Sequence, residues 1–175
     1  LYITIIKPME MHLMVARAWR SLIKTFYEWL EFEEQKYQPQ TLYFSPYESH
    51  ALTKKELLEW AYETRDNLLD KRLSFVKSIR NIGEELVNLG ESEDKDLGDG
   101  ITRLCDSLTD ELQKQFDALT LLIESTECAD TEGTKKAYEI LAETEEKIRT
   151  LMSNFSYVFS TLVKKGFDVP DKLLT

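Results

Sequence analysis

Residues 53–90 read TKKELLEWAYETRDNLLDKRLSFVKSIRNIGEELVNLG, and this stretch decides the fold. Thr53-Lys54-Lys55-Glu56 has the form of a capping box, in which a hydroxyl and a Glu three residues on satisfy two backbone donors reciprocally. Gly90 stands where a helix end calls for a residue tolerant of positive φ. Between them Leu57, Ala61, Leu68, Phe75, Ile79, Ile82, Leu86 and Leu89 recur at three- and four-residue spacing, the period of one helix face. The spacing predicts a helix over 53–89. Two arginines, Arg65 and Arg72, fall in the middle of that face.

Working outward, the same period organises the rest of the chain. Val15, Trp19, Leu22, Phe26, Trp29 and Leu30 form one face of a helix over 9–36, with Arg17, Arg20 and Lys24 off that face. Ile101, Leu104, Leu108, Leu112, Phe116, Leu119, Leu122 and Ile123 do the same over 101–126. The most regular pattern is Ala137, Leu141, Thr144, Ile148, Leu151, Phe155, Val158 and Leu162, which predicts a helix over 134–165. Gly166 stops it and Pro170 prevents its resumption. Residues 1–8 read as a strand-like arm and 166–175 as a surface tail. Residues 37–52 contain Pro39, Pro46, three Tyr and a Phe, a composition that predicts an ordered loop packed against the helices. Long helices joined by mostly short connections predict an all-α, antiparallel four-helix bundle forming one domain over 1–175.

Residues 91–100 are acidic and carry two glycines, which reads as a solvated turn. They resemble a calcium loop in composition only. Counting from Asp94, Gly98 and Asp99 fall at the fifth and sixth positions, and the twelfth, which requires a bidentate Glu, is Cys105. Asn154-Phe155-Ser156 matches a glycosylation sequon but falls inside a predicted helix, with Phe155 on its core face.

Charge and chemistry narrow the function. The formal net charge is -10, which disfavours nucleic-acid binding, since that needs clustered Lys and Arg. The balance is uneven: Lys7, Arg17, Arg20 and Lys24 against Glu10 and Glu28 give residues 1–30 a net +2, leaving -12 for the remainder. Cys105 and Cys128 lie on or just after one predicted helix, roughly 35 Å apart at its axial rise, so a disulfide between them is excluded. Reduced thiols point to a cytoplasmic or nuclear setting, of which cytoplasmic is the one expected. His12 and His50 are the only histidines. Neither they nor the cysteines and carboxylates form a recognisable nucleophile–base, di-metal or zinc motif, so the reading is non-catalytic, with no cofactor and no metal.

Two groups of residues remain as candidates. Arg65 and Arg72 on an apolar face need partners, because burying an unpaired charge costs several kcal/mol or so. Glu33 and Gln115, also on apolar faces, are expected opposite Arg65 and Arg72 respectively. Such a layer either fixes helix register or binds an anionic ligand. The second group is a docking surface: Arg17, Trp19, Arg20 and Lys24 on the first helix, with Tyr43, Phe44 and Tyr47 of the following loop. It suits a protein partner, or a membrane surface approached through the first helix. The acidic outer faces of the other helices favour a basic partner.

Residues 79–115, in which a hydrophobic run reaches Leu89-Gly90, passes through Ser92, Glu93 and Asp94, and resumes at Leu97, Ile101, Leu104, Leu108 and Leu112, resemble the first BAR helix of sorting nexins. An amphipathic helix ahead of it, here 9–36, also suits that family. The resemblance covers about a fifth of the chain. It implies very long helices and a membrane-associated module with a basic concave face, and it assigns no binding residue here.

Overall fold

The computed structural model describes residues 2–44 and 52–175, with side chains from residue 9 onward outside that gap. Among these residues all regular structure is helical. The first stretch comprises α1 (Tyr2–Phe32), a π turn (Glu33–Tyr37), the short α2 (Gln38–Thr41) and a 3-10 turn (Leu42–Phe44). The second comprises α3 (Lys54–Glu63), a π turn (Thr64–Leu68) and α4 (Leu69–Leu89). The third is α5 (Glu93–Glu127). The fourth comprises α6 (Thr131–Ser153) and α7 (Ser156–Lys164), followed by a 3-10 turn at Asp171–Leu174.

Several expectations from the sequence need correction. Residues 2–8 belong to α1 rather than to a strand-like arm: the helix is continuous through Pro8, whose missing N–H removes one rung. Pro39 sits in the first turn of α2, where a missing N–H is harmless, so residues 37–44 are a series of helical turns rather than a loop. Residues 45–51, which include Pro46 and Tyr47, lie outside the described residues.

The solvated turn expected at residues 91–100 shrinks to Gly90, Glu91 and Ser92, because α5 starts at Glu93. Gly98 looked like a helix breaker in the sequence. In the fold it is a close-approach residue: a Cβ there would lie 2.8 Å from the Gly83 carbonyl oxygen and 2.8 Å from Leu86 Cβ. Gly90 is selected by crowding, since its Cβ would lie 2.6 Å from the Leu86 carbonyl oxygen, and positive φ falls instead on Ser92, at 50°. Gly166 does adopt positive φ, 93°. Its neighbour Phe167 donates its N–H to the Leu162 carbonyl at 3.0 Å, closing the end of α7 in a Schellman turn. The last predicted helix is interrupted at Asn154 and Phe155, and Asn154 is exposed there rather than mid-helix.

Thr53 and Glu56 form both bonds of the capping box. The Thr53 hydroxyl accepts from the Glu56 N–H at 3.1 Å, and the Glu56 carboxylate accepts from the Thr53 N–H at 3.3 Å. Seven of the eight heptad residues named over 137–162 are buried, and Leu151 is half-buried.

The chain divides into two compact units. The first gathers Leu1–Trp29, Phe75–Ser107 and Ser153–Thr175. Its interior is apolar: Leu22, Ile79, Leu86 and Ile101 are fully buried. Phe26 meets Trp29 edge-on at 5.3 Å between ring centres, Phe155 at 4.9 Å and Phe159 at 5.0 Å. The second unit gathers Leu30–Ser74 and Leu108–Met152. It also buries Leu69, Leu112, Leu119, Leu141 and Ile148, but a charged layer lies at its centre.

Candidate functional site

That layer is centred on Arg72, whose side chain is 1% exposed. All five guanidinium N–H groups have partners. Nε donates to Glu33 at 2.6 Å and one terminal nitrogen to the other Glu33 oxygen at 3.2 Å. The two terminal nitrogens reach both oxygens of Glu145, each at 3.0 Å, and the Gln115 amide oxygen accepts at 3.0 Å. The Gln115 amide nitrogen then donates to Glu145 at 2.9 Å, and the Tyr37 hydroxyl donates to the Gln115 oxygen at 3.1 Å. The Tyr37 ring lies against the guanidinium, 3.9 Å from centroid to Cζ. Two bidentate carboxylates around one guanidinium satisfy its fork geometry in full.

The electrostatics follow from this enclosure. Burial alone would lower the Arg72 pKa, yet Glu33 and Glu145 hold it well above the ordinary arginine value. Burial pushes Glu145 up, but Arg72, Gln115 and the nearby Arg149 outweigh it, and the carboxyl titrates below the usual range. Tyr37 is raised chiefly by burial. One guanidinium between two carboxylates leaves the layer one negative charge in excess, with Arg149 3.7 Å from Glu145 on the outer side.

The two π turns place these groups. In each, an amide bonds to the carbonyl five residues back: Gln38 to Glu33, and Leu69 to Thr64. The buried stripe therefore steps by five at each turn, from Phe32 to Tyr37 and from Thr64 to Leu69. This shift corrects the expected pairing. A uniform helical period puts Arg65 and Arg72 on one face, but the extra residue turns Thr64 inward and Arg65 to the rim. Arg65 pairs with neighbouring Asp66 at 2.7 Å, donates to the Thr120 hydroxyl at 3.2 Å, and lies over the rings of Tyr62 and Phe116. Glu33, expected opposite Arg65, binds Arg72 instead. In α5 the interior positions expected for Leu104 and Phe116 go to Cys105 and Gln115, while Leu104 is half-buried and Phe116 is 41% exposed.

Neither Tyr37 nor Glu145 is among the residues that the sequence pattern singles out. Tyr37 falls in the Pro-containing stretch that reads as a loop. Glu145 follows Thr144, the one polar residue in its heptad pattern, and that break was the available signal.

The docking candidates separate as sharply. Trp19 is 1% exposed, and its indole N–H donates to Asp94 at 2.9 Å, so it is a core residue rather than a contact residue. Phe44 is buried 5.7 Å from the Trp60 ring, and Tyr43 lies half-buried 5.8 Å from it. Arg17, Arg20 and Lys24 are exposed on α1 and take part in no ion pair among the described residues. The chain has seven arginines. The other five, Arg65, Arg72, Arg80, Arg103 and Arg149, are all ion-paired.

Cys105 is buried, and burial together with Asp106 pushes its thiol up to about 12, which makes it a poor nucleophile. Cys128 is exposed. Among the described residues no cluster of His, Cys, Asp and Glu is arranged to hold a metal ion, and no helix is long and apolar enough to cross a membrane. No family model, no curated protein and no solved structure matches this chain.

Proposed function

We propose that this chain is a non-catalytic interaction module that binds a protein partner through the outer face of α1. The observation that carries the reading is the placement of Arg17 and Arg20. They are the two arginines with no ion pair among the described residues, and both are exposed on one helix with Lys24. Unpaired surface cations in an acidic chain are a recognition feature more than a stabilising one. The Arg72 layer supports a structural role, since every donor it could offer a ligand is already taken. A buried, fully bonded ion cluster of this kind specifies helix register.

Antiparallel packing of successive helical stretches is part of the same proposal. Cross-helix pairs have residue numbers that fall on one side as they rise on the other: Gly83 against Gly98, Arg80 against Asp106, Arg72 against Gln115, Arg65 against Thr120. Connections of three residues, at 90–92 and 128–130, suit it.

A photo-reactive residue at exposed Ser21 on α1, compared with one at exposed Glu139 on α6, tests the reading in the native cell extract. Adducts are expected at Ser21, lost on reversing Arg17 and Lys24 to Glu. Equal labelling from Glu139, or labelling at Ser21 untouched by the reversal, overturns it.

A further inference from the structure

Resting on that reading, we infer that the outer face of α1 is a groove for an acidic amphipathic helix. Met9, Leu13, Ala16, Arg20 and Ile23 recur at alternating four- and three-residue spacing, the seam along which a second helix packs. Met9 is 61% and Leu13 62% exposed; Met11 and Met14 are exposed too but point away from the seam, toward the stripe of Val15 and Ala18. Large apolar side chains in solvent at consecutive seam positions mark an unfilled contact, and methionine packs adaptably against varied partners. Further along, the seam becomes concave. A cleft of about 360 Å³ opens between Arg20 and Lys165, lined by Ala16, Ile23, Gly166 and Phe167.

The charges around the seam select the partner's sign. Arg17 and Lys24 flank it on one side and Arg20 stands within it, none of them neutralised among the described residues. Lys165 on the far wall is held by Glu93 at 3.4 Å and Asp94 at 3.2 Å. Asp168 and the Glu93 and Asp94 carboxylates on that wall, with Glu10 and Glu28 on α1, are opposing charges. A partner helix with apolar residues at i, i+3, i+4 and i+7 and carboxylates beside them meets both features. A flat anionic bilayer meets them less well: the cleft is concave, and the remainder of the chain carries -12, which such a surface repels.

The test uses the full chain and a dye-labelled synthetic helix of about three heptads with Leu at the seam and Glu beside it. Two control probes are the same helix with Lys for Glu, and vesicles of mixed neutral and anionic lipid. Binding is read by anisotropy and located by backbone NMR shifts. The acidic helix is expected to bind and to shift residues 9–24 and 165–168. The lysine helix and the vesicles are expected to bind at least about tenfold more weakly. R17E/R20E/K24E and, separately, Leu13→Glu should each weaken the acidic helix by about tenfold or more, with thermal melts unchanged. Equal binding of both helices, shifts elsewhere, or tighter binding to vesicles overturns the inference. If the acidic helix fails while Ser21 labelling persists, the groove assignment falls and the α1 reading stands; if both fail, the reading itself falls.

Discussion

The two units solve one problem with opposite chemistry. The first closes around Phe26, whose ring meets those of Trp29, Phe155 and Phe159. The second closes around a guanidinium, two carboxylates, an amide and a phenol. An apolar cluster gains from dispersion and from water release, and tolerates many arrangements of similar volume. The charged layer recovers its desolvation cost only when every donor and acceptor is aligned. The contrast implies a division of labour that single substitutions can test: the aromatic cluster is expected to carry bulk stability, and the Arg72 layer is expected to carry register.

Removing one member of each core gives the largest effects and separates the two modes. Phe155→Ala should destabilise by about 3–5 kcal/mol through lost burial and a residual cavity. That loss should be insensitive to pH. Any single disruption of the Arg72 layer should show pH dependence instead. The folded-state pKa of Glu145 is depressed, so its contribution is present above the unfolded carboxylate value and is lost as pH falls through the folded one. Urea unfolding of the wild type and of Glu145→Gln at neutral and acidic pH should therefore converge toward low pH; parallel curves would contradict the assignment.

Gly98→Ala tests close helix packing in the first unit. The added Cβ meets backbone oxygen at 2.8 Å, and overpacking of this kind costs about 1–3 kcal/mol. A neutral result in a thermal melt would mean that the α4 and α5 backbones are not in close approach. Smallest is Thr53→Ala, which removes one half of the capping box in the second unit and should cost about 1 kcal/mol, with hydrogen exchange rising at the start of α3.

The sequence showed helix existence well and register poorly. Side chains at Ala137, Leu141, Ile148, Phe155, Val158 and Leu162 keep their heptad spacing across the interruption at Asn154 and Phe155, so burial is read directly from spacing. Thr53 and Glu56 act locally, within one turn, and were equally plain. The π turns were hidden, because a single extra residue leaves no compositional trace in Glu33–Tyr37 or Thr64–Leu68. The one-residue shift at Thr64–Leu68 turns Arg65 out of the face that uniform spacing gives it, and leaves Arg72 inside. Gly98 misled for a related reason: a glycine chosen for close packing and one chosen for a turn look identical in sequence. Trp19 and Phe44 were drawn toward the surface by their neighbours' charges and prolines, although their size favours burial.

A structural ion cluster at Arg72, as proposed, makes a sharp demand on its variants. Urea unfolding of Arg72→Met, beside the triple variant Arg72→Met/Glu33→Leu/Glu145→Leu, tests it most directly. A loss of about 3–5 kcal/mol is expected in the single variant, which strands buried Glu145 and part-buried Glu33, and recovery of most of it in the triple, which removes the three charges of the layer. A single variant as stable as the wild type, or a triple that loses more than the single, would contradict it.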